Sequence, residues 1–164
     1  MAAVVVIKSA HDATGSTVAT VTAVRFKKAD NDTADTNNRM PIPAAGTEYS
    51  YVKYLYLNVD SGAYTLIDTL KVYGDGALPT GVGVYMADAA YANPVANADA
   101  ALGSYSSNYA SYTSGAALSL AGSKASSATG KINTNYLQMQ MGVGSTAAAG
   151  VMTAETATFS YLES

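Results

Sequence analysis

The side chain best suited to act as a general base near neutral pH is His11, the single histidine of the chain. Asp12 follows it directly. In an extended strand neighbouring residues point to opposite faces, so the pair cannot work as a unit. A Ser-His-Asp triad would have to assemble from distant residues. No G-x-S-x-G turn is present to hold an activated serine, and His11 is expected to be an exposed loop residue. Glycoside hydrolysis needs two carboxylates flanking one bond. The glutamates are Glu48, Glu155 and Glu163, and the aspartates stand mostly in turn-like stretches, where they bond to nearby backbone. No catalytic residue is assigned, and the chain is read as not an enzyme.

Metal and cofactor chemistry finds as little support. Asp30, Asp32 and Asp35 lie in "DNDTADTNN" with Asn31, Asn37 and Asn38. Hard oxygen ligands on a loop suit calcium, but the EF-hand order is broken: Asp35 is off register, no glycine follows, and Pro41 stands near the place of the closing acid. A solvated Asx-rich loop is the expectation. Cysteine is absent, which removes disulfides, thiolate metal sites and thiol catalysis. "GVGVYM" lacks the third glycine and the following helix of a dinucleotide fingerprint. Asn31-Asp32-Thr33 matches a glycosylation sequon without a secretory signal to give it meaning. No metal and no cofactor are expected.

The composition narrows the partners. Net charge is −3 and charged residues make up 13% of the chain, against about a quarter in ordinary soluble domains. There is no basic stripe for nucleic acid; Arg25, Lys27 and Lys28 read as a solvated strand end. "MAAVVVIKSA" has no basic n-region, its apolar run stops at Lys8, and no segment is long enough to span a membrane. Thirteen tyrosines against two phenylalanines suit surfaces buried partly, or only on assembly.

Strand signals dominate. "TVATVTAVRFKK" (17–28) is rich in threonine and valine. In 48–59, Tyr49, Tyr51, Leu55, Leu57 and Val59 alternate with Val52, Tyr54 and Tyr56, so both faces are apolar and the strand is central or faces an interface. Leu66, Leu70 and Val72 share one face of the next segment, as do Val82, Val84 and Met86 of the one after it. In 136–144, Leu137, Met139, Met141 and Val143 form a core face; Gln138, Gln140, Gly142 and Gly144 form a flat, uncharged one that suits another chain or a covering loop. A last strand is expected over 153–163. Residues 29–46 read as a loop, and 87–130 as long Ala/Ser/Tyr-rich loops with small ladders, "ALSLAG" among them. Short strands between turn signals predict an all-β fold, an antiparallel β-sandwich of jelly-roll or immunoglobulin-like type. Residues 1–164 form one domain, with 1–10 either its first or edge strand or an N-terminal arm.

Candidate interface residues follow from this layout. Val4, Val5, Val6 and Ile7 could add a strand to a neighbour's open sheet. Tyr105, Tyr109 and Tyr112, with serines and Asn108 between, could stack on a protein or on sugar rings. Gln138 and Gln140 mark the flat face.

Four pieces in one order carry a family resemblance: "LNV" (57–59), "IDTLKVYGDGALPTGVGVYM" (67–86), "YANP" (91–94) and "NYLQMQMGVGSTAAAGVMTAETATFSYLES" (135–164). Together they resemble small β-rich virion structural proteins of tailed bacteriophages. The likeness runs from about Val52 to Ser164, and the segment from Ala90 to Gly130 departs from it. It implies a non-enzymatic capsid decoration, or cement, protein on the virion surface, made in the host cytoplasm. Its partners would be the major capsid protein and copies of itself, a trimer or other closed ring being natural there. The alternative is a carbohydrate-binding module or a tail or adhesin component.

Overall fold

The computed structural model describes residues 2–34, 36–76, 78–93 and 107–164. Among these residues twelve strands are formed: β1 (Val4–His11), β2 (Thr17–Thr20), β3 (Thr47–Tyr49), β4 (Lys53–Ser61), β5 (Leu66–Gly74), β6 (Val82–Ala89), β7 (Ser107–Asn108), β8 (Leu118–Ser119), β9 (Lys124–Ala125), β10 (Gly130–Lys131), β11 (Tyr136–Gly144) and β12 (Ala157–Glu163). A single 3-10 turn, Tyr109–Ser111, is the helical element among the described residues. Every pairing among these strands is antiparallel. The larger sheet runs β2-β1-β4-β11-β6-β7, with β10 beside β4 and β3 beside β11. The smaller runs β12-β5-β8, with β9 beside β5. The chain is therefore an all-β sandwich, as its alternating segments predicted; jelly-roll or immunoglobulin topology is not assigned by this order.

One core lies between the sheets. Leu55, Leu57 and Val59 of β4, Val84 and Met86 of β6, and Leu137, Met139, Met141 and Val143 of β11 meet Ile67, Leu70 and Val72 of β5. β4 is buried on both faces, as its sequence required. Its outer face carries Tyr54 and Tyr56, which pack with Val52, Ala10, Tyr91 and Tyr136 in a second cluster. Among the described residues four tyrosines, Tyr54, Tyr56, Tyr64 and Tyr109, are buried within the chain itself. Part of the tyrosine excess is thus spent on this fold rather than on an assembly surface.

Three elements depart from expectation. In β5 the core residue is Ile67, not Leu66, which is only half-buried. The register with β12 shifts between Ser160 and Leu162, leaving one extra residue on β5, and Thr69 takes φ 53. This bulge resets the alternation, so Ile67 and Leu70, three apart, both face inward. The strand expected over 17–28 stops at Thr20; beyond it the chain leaves the sheet, and Lys27 is buried (4% exposed) rather than solvated. The last strand starts at Ala157, four residues later than expected.

β1 is part of this chain's own sheet rather than a free arm. It pairs with β4 from Val4 to Ala10 and with β2 from Lys8 to His11. Its first residues cross the β4–β5 connection so closely that a Cβ on Gly62 (φ +115) would stand 2.5 Å from the Ala2 carbonyl oxygen. That crossing is closed to any residue but glycine.

Candidate functional site

The structure brings together what the sequence kept apart. Ser9 and His11 are two apart on β1 and share a face, and Lys53 at the start of β4 stands on that same inner face, in line with Leu55. Residues 27–33 fold over this end of the larger sheet and place Asp30 and Asp32 above it. His11 Nδ1 lies 3.1 Å from Asp30 Oδ1, and Nε2 lies 3.2 Å from Asp32 Oδ2 and 2.8 Å from Ser9 Oγ. The Lys53 ammonium donates to the carbonyls of Asn31 (2.8 Å) and Ala29 (3.3 Å) and stands 3.7 Å from Asp32 Oδ1. Lys27 donates to the Thr33 carbonyl at 2.6 Å. The second Asp30 oxygen accepts from the Asp12 amide at 2.7 Å.

His11 is accordingly a buried residue (6% exposed), not the exposed loop histidine expected. Asp30 and Asp32 are 11% and 10% exposed in their side chains, so the loop is tied down by ion pairs rather than solvated. Asp35 lies outside the described residues. Among those described, no three His, Asp or Glu side chains are grouped to hold a metal ion.

Ser9, His11 and Asp30 have the connectivity of a nucleophilic triad. Their electrostatics run the other way. Hydrogen bonds donated by the ring to Asp30 and Asp32 raise the His11 pKa to about 9 against the cost of burial. At neutral pH the ring is an imidazolium, with no lone pair to take the serine proton. Asp32 sits on Nε2, where a base would receive that proton, and Ser9 is fully buried. Burial pushes Asp32 up, but His11 and Lys53 hold it down at about 2. Burial lowers Lys53, opposed by Asp32 and Asp30. The arrangement is a charge clamp between β1, β4 and the 27–33 loop.

A hairpin turn continues the clamp. Asp12 (φ 72) accepts from the amides of Thr14, Ser16 and Thr17 and from the Thr14 and Ser16 hydroxyls. These bonds hold its carboxyl far below the usual range. The Asp12 carbonyl accepts from the Tyr91 hydroxyl at 2.5 Å. On the outer face the Lys131 ammonium stands 3.3 Å from the Tyr136 ring centroid, and burial lowers it to about 8.

The candidate interface residues scatter. Val4 is 50% exposed, Val6 is half-buried, and Val5 and Ile7 pack against the core. Tyr105 lies outside the described residues. Tyr109 is buried: its ring covers Gly74, and its hydroxyl lies 2.6 Å from the Asp75 carboxylate and 2.5 Å from the Thr156 carbonyl. Tyr112 is half-buried against the core. Neither offers an open ring platform. Gln138 and Gln140 are 3% and 0% exposed. Gln138 donates to the Tyr54 hydroxyl (3.1 Å) and the Ala90 carbonyl (3.3 Å), and Gln140 to the Ser50 carbonyl (2.9 Å). Gly142 makes room for Thr47, Tyr49 and Tyr85, each 3.1–3.3 Å from where its Cβ would stand. The flat face is covered by this chain's own residues, not held open for another.

Comparison with protein-family models, with curated proteins and with solved structures returned no match.

Proposed function

We propose that the chain is a non-enzymatic structural component of a virus particle, a capsid decoration protein that clamps neighbouring capsomers through protein–protein contacts. The observation that carries this reading is the division of labour between interior and surface. The polar chemistry of the clamp is turned inward and pinned in ion pairs. Apolar side chains left over from the core stand in water: Val4 (50%), Val18 (46%) and Leu162 (62%) on strands, Ile42 and Val151 in loops. Val4 and Leu162 flank the hydrogen bond from the Ala3 amide to Glu163, which ties the first strand of one sheet to the last strand of the other. A surface so poor in charge suits contact with protein, since interface cores are depleted of charged residues. The likeness of 57–59, 67–86 and 135–164 to phage virion proteins supports the same reading. No helix among the described residues is long and apolar enough to cross a membrane.

The test is co-sedimentation with capsids assembled without the protein. Saturable binding supports the proposal. Free protein left in the supernatant at every concentration overturns it.

A further inference from the structure

β2 differs from the other margins of the two sheets. Its four residues, Thr17-Val18-Ala19-Thr20, are exposed on both faces, so side-chain burial does not hold it; pairing with β1 does. β1 covers one edge only, and among the described residues no strand pairs with the other. The orientation of that edge follows from one bond. Val21 donates its amide to the Ile7 carbonyl at 3.0 Å. Antiparallel pairing alternates, so Ala19 and Thr17 also turn their backbone groups toward β1, and Val18 and Thr20 turn theirs away. The outer edge therefore presents two N–H donors and two C=O acceptors.

Natural sheets blunt such edges with charge, proline, bulges or very short strands. β12 carries a register shift and Glu163, and β7, β8, β9 and β10 are two residues each. β2 carries no charge and no proline. We propose that this edge pairs with the same edge of a second copy, antiparallel across a two-fold axis at Ala19. Val18 of each copy then meets Thr20 of the other, and four backbone hydrogen bonds form, two at each pair. The occupant follows from charge. The two-fold sets Ala19 against its own copy and Val18 against Thr20, so self-pairing neither opposes like charges nor desolvates any, whereas an edge built for a charged partner would carry the opposite sign. Small side chains on both faces let the two strands close without a clash. A four-residue edge buries far less than the roughly 1,200 Å² of a standard stable interface. The association is therefore reversible, and it strengthens where copies are held side by side. It stands apart from the virion reading, because it is a property of the free chain.

Sedimentation velocity over a concentration series tests it, with no capsid present. The wild-type chain is expected to shift reversibly from monomer to dimer. Val18→Lys places like charges beside the axis, and Val18→Pro removes an outward donor while sparing the β1 bonds; both are expected to stay monomeric. Val151→Lys, at another exposed valine, is expected to behave as wild type. Where a Val18 variant fails to fold, amide exchange of the wild-type chain decides instead: the Val18 and Thr20 amides slow as the dimer fills. A wild-type chain that stays monomeric, a dimer indifferent to the Val18 variants, or a dimer in which both amides exchange freely overturns the proposal.

Discussion

His11 makes this fold lose stability as the pH turns alkaline. Folding lifts its pKa from the ordinary 6.5 to about 9 through Asp30 and Asp32. At about 1.4 kcal/mol per pH unit this corresponds to about 3 kcal/mol, and screening on the loop side reduces it to roughly 1–3 kcal/mol. Because the folded pKa is the higher one, the contribution is complete below 6.5 and is lost as pH rises through about 9. Lys131 acts in the opposite sense. Its folded pKa of about 8 lies below its usual 10.5, so its burial costs stability at low pH and the cost fades as pH climbs. The informative quantity is therefore the difference between the wild-type chain and His11→Gln, in which Lys131 cancels. Urea denaturation followed by circular dichroism, from about pH 6 to about pH 10, measures it. The wild-type advantage is expected to shrink by roughly 1–3 kcal/mol across that range, equivalent to several degrees in Tm for a domain of this size. Parallel curves for the two proteins would refute the clamp.

Other substitutions probe other layers. Tyr109→Phe keeps the ring over Gly74 but strips the hydroxyl from Asp75 and Thr156; thermal melts are expected to show a loss of about 1–2 kcal/mol. Gln140→Leu leaves the Ser50 carbonyl without its 2.9 Å donor in a buried place, an expected loss of about 1–3 kcal/mol by urea titration. Gly142→Val drives side-chain atoms into Thr47, Tyr49 and Tyr85, and calorimetry is expected to register about 1–3 kcal/mol of overpacking. On the acid side Asp32, held at about 2, stabilises the fold above its ordinary 3.8. That contribution is lost as pH falls toward 2, and Asp32→Asn is expected to flatten this part of the acid titration.

The fold was legible where one physical rule decided it. Strict alternation in β11 and β6, and two apolar faces in β4, each predicted a core face that the structure shows. β5 was misread because alternation assumes an unbroken ladder; the bulge at Thr69 is set by pairing with β12, which lies some ninety residues away in the chain. The clamp was illegible for a related reason. Ser9 and His11 are visibly on one face, but Lys53 joins them only through the β1–β4 pairing, and Asp30 and Asp32 only when the 27–33 loop folds over the sheet end. A signal was present in Lys53, a lone charge heading an apolar strand. Buried there, it needed an anion and carbonyls, and an acidic loop lay nearby. Gln138 and Gln140 taught the converse lesson. A flat polar stripe beside glycines is ambiguous between an interface and a covered face, and only the placement of Ser50, Tyr54 and Tyr49 decides it.

The most direct test of the central claim is mechanical. Capsids lacking the protein, and the same capsids saturated with it, would be heated or indented until they rupture. A decoration protein that clamps capsomers predicts a higher rupture threshold for the saturated shells. An unchanged threshold at full occupancy would contradict the clamping role even if the protein binds.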